Sequence, residues 1–107
     1  MSAEFKVDPW TALGDPTRKA IFERLVDRPY AVLELAGELP VSRPAVSQHL
    51  RVLKAAGLVI DHPAGRRRVY QVDPDGLAAL RADLERFWGK TLAGYQAAVE
   101  QPTQEER

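Results

Sequence analysis

Apolar residues recur at helical spacing along most of this chain, and the spacing switches to alternation between residues 58 and 72. "DPW" at Asp8–Trp10 reads as a helix start, with Asp as N-cap and Pro at the first helical position; Val7, Trp10 and Leu13 form its apolar edge. "DPT" at Asp15–Thr17 repeats the device. It opens a second helix whose buried side is Ile21, Phe22 and Leu25, ended before Pro29. A third, short helix is predicted over Ala31–Glu38, where Val32, Leu35, Ala36 and Leu39 fall at i, i+3, i+4 and i+7. After "LPV", Ser42 caps a fourth helix with Val46, Leu50 and Leu53 on one side, and Gly57 stops it.

Two short strands follow. "LVIDH" is expected to place Leu58 and Ile60 on one side, and "RRRVYQVD" to place Tyr70 and Val72 on one side, with "PAG" and the arginines as the hairpin connection. Asp73 and Pro74 begin a long last helix. At 100° per residue Leu77, Leu84, Trp88 and Tyr95 lie within about 20° of one line, flanked by Leu80, Leu92 and Val99. Gly89 and Gly94 within it suggest close packing or a bend. The expected fold is mainly α with a small β-hairpin: a single domain over residues 1–107, with 100–107 as a flexible tail.

Composition narrows the function. The chain has no cysteine, which excludes disulfides, thiolate metal sites and a thiol redox switch. No apolar run approaches a membrane span, and "MSAEFKVDPW" has no signal-peptide character, so the expected location is cytoplasmic. Net charge is zero, but it is unevenly spread. Residues 40–72 carry six bases against Asp61, a balance of +5, and residues 73–107 carry seven acids against four bases, a balance of −3. A neutral protein of this kind presents a local positive face to a polyanion. No paired His–carboxylate motif, Gly-rich phosphate loop or nucleophile signature supports catalysis, so no enzyme is expected.

The basic segment has an order suited to DNA: a short helix, a tight turn, a second helix, then a hairpin bearing Arg66, Arg67 and Arg68. This describes a winged helix-turn-helix. On the fourth helix, Arg43, Pro44, Ser47, Gln48 and Arg51 lie opposite its apolar line. They are short polar or cationic groups that fit the edge of a major groove. Strand alternation sends Arg66 and Arg68 to one face and Arg67 to the other, and Asp61 is an available acid for one of them. Arg18 is expected to form a structural salt bridge, and His62 to be an ordinary loop residue.

"LGDPTRKAIFERL", "VLELAGELPVSRPAVSQHLRVLKAAGLV" and "GRRRVYQVDP" together resemble the second helix, the helix-turn-helix and the wing of the ArsR/SmtB transcriptional regulators, over about residues 8–75. The resemblance implies a homodimer that binds double-stranded operator DNA, represses transcription and releases DNA when a small-molecule effector binds. It places DNA contacts at Ser42, Arg43, Pro44, Ser47, Gln48 and His49, and wing contacts at Arg66, Arg67 and Arg68. His49 is expected either to touch DNA or to pack as a hydrogen-bonded core residue. The first and last helices, within residues 1–14 and 74–99, are expected to join the subunits through Val7, Trp10, Leu77, Leu84, Trp88 and Tyr95.

The chain departs from the family's metal sensors. Their Cys-containing box corresponds to "YAVLELA" here, and the last helix has Asp83 and Glu85 but no His. No metal or cofactor is therefore expected. "LERFWGKTLAGY" resembles a metal-independent branch with an aromatic last helix, and Pro40 replaces the commoner turn glycine. The alternative function is a winged-helix module that docks its basic face on an acidic protein; steep salt dependence of sequence-specific DNA binding separates the two.

Overall fold

In the computed structural model, which describes residues 7–100, helices and a small antiparallel sheet alternate along the chain. The elements are α1 (Pro9–Ala12), α2 (Pro16–Asp27), β1 (Tyr30–Ala31), α3 (Val32–Glu38), α4 (Arg43–Ala55), β2 (Val59–Ala64), β3 (Arg67–Val72) and α5 (Pro74–Val99). They divide into one unit up to Leu77 and a second from Ala78 onward. Residues 101–107, where nearly all of the expected tail falls, lie outside the described residues, as do residues 1–6.

Both Asp-Pro devices work as helix starts. The Asp8 carboxylate accepts from the Thr11 N–H at 2.8 Å, and that of Asp15 from the Arg18 N–H at 2.9 Å. Each satisfies a donor that the first helical turn leaves without an intrahelical partner. The second bond holds the Asp15 carboxyl below the usual aspartate range, with the Arg18 charge behind it.

The core of the first unit is built on the apolar sides of three helices. Ile21, Phe22 and Leu25 of α2 are buried with Leu35 of α3 and Val46, Leu50 and Leu53 of α4, as the spacing predicts. The end of α4 extends this core. Gly57 adopts φ +77°, its N–H bonds to the Lys54 carbonyl, and the Leu58 N–H bonds to the Leu53 carbonyl. That is a Schellman ending, and its accompanying apolar pair, Leu53 and Leu58, is fully buried.

The strand phase differs from the expectation. Because Leu58 belongs to the helix ending, the alternation starts at Val59, which is buried, while Ile60 is 39% exposed. Leu58 and Ile60 therefore do not share a side. The hairpin is also tighter than expected. Pro63 and Ala64 are in β2, Arg67 and Arg68 are in β3, and Ala64 pairs with Arg67 across the two-residue tip Gly65–Arg66. Gly65 has φ +67°, which suits the first central position of a two-residue hairpin turn. His62 lies in β2 opposite Val69, not in a loop.

A third strand was not expected. Tyr30 and Ala31 pair antiparallel with Tyr70 and Val69, giving the sheet order β1-β3-β2. This moves the start of α3 from Ala31 to Val32, and Glu34 accepts from the Ala31 N–H at 2.8 Å to secure the junction.

In the second unit, Leu80 is the buried residue of α5. Leu84, Phe87, Trp88, Leu92, Tyr95 and Val99 are exposed, as is Leu77 in the first unit. A Cβ added at Gly89 or Gly94 would meet nothing within 4 Å, so neither glycine is required by close packing within the described chain. Among the described residues, no helix is long and apolar enough to cross a membrane.

Candidate nucleic-acid interface

The turn between α3 and α4 is built around Pro40. The Leu39 N–H closes α3 on the Leu35 carbonyl, and the Val41 N–H donates to the Leu39 carbonyl at 2.8 Å. A two-residue-back bond of this kind is a γ-type turn, and the fixed φ of proline is close to what its central residue needs. Pro40 thus sits at the centre of the turn, where its fixed φ suits the bond that closes over it.

Ser42 caps α4, its Oγ accepting from the Ala45 N–H at 3.3 Å, and Pro44 occupies the first turn where its missing N–H costs no helical bond. Ser42, Arg43, Pro44, Gln48 and Arg51 are exposed, Ser47 and His49 are half-buried, and the opposite side is the buried line Val46, Leu50, Leu53. Arg51 donates from Nη1 to Oε1 of Gln48. An arginine has only donors, so this bond orients the Gln48 amide with its NH₂ group away from Arg51.

His49 is anchored. Nη1 of Arg18 lies 3.3 Å from its Nδ1, and Nε of Arg18 donates to the Ala12 carbonyl at 2.7 Å. Arg18 therefore engages an imidazole and a backbone carbonyl rather than the expected salt bridge, which it does not form among the described residues. Its donor makes Nδ1 the acceptor, so the imidazole carries its proton on Nε2.

The wing arginines sit in three different settings. Arg66 is at the hairpin tip, exposed, and has no ion pair among the described residues. Arg67 lies 3.3 Å from Glu34 of α3, and Arg68 donates from Nε to Oδ2 of Asp61 at 2.7 Å. Arg67 and Arg68 thus leave β3 toward different partners, as alternation requires. Glu34 also accepts from the Ala31 N–H and faces Arg28. The Ala31 bond is the main reason its carboxyl lies below the usual glutamate range. The other oxygen of Asp61 is 2.7 Å from Nζ of Lys54, in the last turn of α4.

Of the residues singled out for DNA, Ser42, Arg43, Pro44, Ser47, Gln48, His49 and Arg51 are gathered on α4, and Arg66, Arg67 and Arg68 on the hairpin. Asp61, the acid expected to be available to a wing arginine, takes Arg68; sequence spacing missed Lys54, through which Asp61 also connects the hairpin to α4. The one available signal was that Asp61 is the sole acid in the +5 segment. Among the described residues, no cluster of three or more His, Asp or Glu side chains is placed to hold a metal ion.

Comparison with known proteins bears on the family of the chain. A model of the helix-turn-helix domain family matches residues 13–62. The chain is 66% identical over 91 residues to the HTH-type transcriptional regulator Rv2034 of Mycobacterium tuberculosis, covering 85% of each chain. It is 42% identical over 72 residues to the HTH-type transcriptional repressor SmtB of the same species, covering 67% of this chain and 53% of that one. Among solved structures, an ArsR-like transcriptional regulator from Rhodococcus sp. RHA1 superposes with a TM-score of 0.73 at 36% identity, covering 86% of each chain. With a winged helix-turn-helix fold and relatives of this identity and coverage, the chain belongs to the ArsR/SmtB family of DNA-binding transcriptional regulators.

Proposed function

We propose that this regulator is a repressor that binds a palindromic operator as a homodimer. In this reading α4 lies in the major groove, with Ser42, Arg43, Pro44, Ser47, Gln48, His49 and Arg51 toward the DNA. Arg66, Arg67 and Arg68 take the backbone or the adjacent minor groove. The observation that carries it is the division of α4. Val46, Leu50 and Leu53 are sealed in the core, while the exposed arc is short, polar and cationic, with an arginine-bearing hairpin joined to the same helix through Asp61.

Two-fold symmetry follows from the DNA. Half-sites one helical turn apart need two reading helices about 34 Å apart, which a dimer supplies. We assign the pairing surface to the apolar stripe of α5, where Trp88 is 63% and Tyr95 69% exposed, together with Leu77 and Leu84. Val7 and Trp10, before and within α1, are proposed to contribute to subunit contact as well. With no cysteine in the chain, a thiolate metal sensor is not part of this mechanism.

Footprinting of the purified protein on genomic fragments tests the reading. Protected sites with inverted half-sites one turn apart are expected, and transcription from those sites should rise when the protein is removed. Protection without inverted symmetry, or transcription that falls on removal, would contradict it.

A further inference from the structure

Asp61 is an acid in the most basic part of the chain, and it is placed where a merely solvated carboxylate would not be. Its side chain is only 7% exposed, while those of its two partners are more than half exposed. Oδ1 holds Nζ of Lys54 and Oδ2 holds Nε of Arg68, both at 2.7 Å. The two partners come from different elements: Lys54 from the last turn of α4, Arg68 from β3 just past the hairpin tip.

The choice of arginine nitrogen matters. Arg68 spends its Nε on Asp61, and its two Nη groups have no hydrogen-bond partner among the described residues. A guanidinium is a rigid planar fork, so fixing Nε fixes where both Nη groups point. One carboxylate against two cations also leaves the cluster net positive. It orients the charge without cancelling it.

We propose that Asp61 is a positioning residue for DNA binding: it locks the wing's Arg68 to α4 and presents the Arg68 Nη groups to a backbone phosphate. The proposal rests on the reading that α4 and the wing contact DNA. The gain is preorganisation, since a free arginine must surrender its rotamer freedom on binding. Plain electrostatics predicts the reverse. An acid near a polyanion opposes binding, so its removal would tighten the complex.

The test is Asp61→Asn, measured by fluorescence anisotropy on the protein's own upstream DNA across a salt series, beside wild type, Arg68→Ala and the double variant. Asp61→Asn should weaken binding roughly three- to tenfold. It should also make the slope of log affinity against log salt shallower by about one, the signature of one lost phosphate contact. Arg68→Ala should match it, and the double variant should lose nothing further. A merely structural role would lower the melting temperature without changing the slope. Unchanged or tighter binding, an unchanged slope, or additive losses would each overturn the proposal. If Asp61→Asn does not fold, Arg68→Lys serves, because it keeps the charge and the ion pair but lacks the outward Nη groups; wild-type affinity and slope would then overturn it. Failure of the wild type to prefer its upstream DNA would instead count against the DNA reading itself.

Discussion

Nη1 of Arg18 in α2 lies 3.3 Å from Nδ1 of His49 in α4, and this contact determines which tautomer of His49 α4 carries. Because arginine only donates, Nδ1 accepts and Nε2 keeps its hydrogen. His49 is then a hydrogen-bonded residue, as one of the two expected roles has it, and its Nε2–H remains a donor.

Arg18→Met should release the imidazole and remove the donor to the Ala12 carbonyl. Loss of those two bonds is expected to cost about 1–3 kcal/mol in a urea titration. Imidazole ¹⁵N shifts should move from a single Nε2–H tautomer toward a mixture; shifts unchanged by the substitution would show that Arg18 does not set the tautomer.

Arg66 and Gln48 should separate affinity from specificity. Arg66, exposed at the hairpin tip, has no ion pair among the described residues to break before it meets a phosphate. Arg66→Ala should weaken all sequences alike and reduce the salt slope by about one. Gln48→Ala should cost about 1–3 kcal/mol at one base position and relax preference there. A binding-site selection comparing both variants reads this directly, and equal effects on every site would undo the division.

The α5 stripe should hold the subunits together. Trp88→Glu puts a charge at a 63% exposed aromatic without disturbing a buried residue, so the monomer should fold. Sedimentation velocity is expected to show a dimer for wild type and a monomer for the variant. A dimer that survives the substitution would place the interface elsewhere.

Acid should loosen the first unit through three carboxyls. Asp15, Glu34 and Asp61 all titrate below their ordinary values of 3.8, 4.5 and 3.8. The leading causes are the Arg18 N–H for Asp15, the Ala31 N–H for Glu34, and the hydrogen bonds from Lys54 and then Arg68 for Asp61. A carboxyl whose folded value is depressed binds more protons when unfolded. Its stabilisation is therefore complete above the ordinary value and is lost as pH falls through the lower, folded one. Melting temperature should stay flat down to about pH 5 and drop below it, and Asp61→Asn should make that drop shallower. A variant with the wild-type acid profile would remove Asp61 from this account.

Much of this fold was legible because local chemistry and tertiary structure agree. Asp8, Asp15 and Ser42 cap helices from their own sequence neighbourhood, and the buried lines of α2 and α4 follow the helical period. The exceptions have physical causes. β1 is two residues long, too short to show alternation, and exists because β3 offers an edge. The phase of β2 was misplaced because Leu58 serves the helix ending rather than the strand. The Arg18–His49 contact joins residues 31 apart; a wing arginine on Asp61 was expected, but which arginine it is, and that Lys54 shares the carboxylate, depends on side-chain direction, which spacing does not encode. The outward arc of α4 was visible as composition, but the anchoring of His49 and the orientation of Gln48 required the packed structure.

Recognition of operator DNA by α4 and the wing can be read from binding resolved by salt. The purified protein is titrated into a labelled duplex from its own upstream region and into an unrelated duplex of equal length, from about 50 to 200 mM salt. Binding to the upstream duplex should be at least about tenfold tighter. Log affinity should fall linearly with log salt, with a slope steeper than about −4, as expected if each half of the proposed dimer engages several phosphates. Equal affinity for the two duplexes, or binding insensitive to salt, would rule out recognition of operator DNA by α4 and the wing.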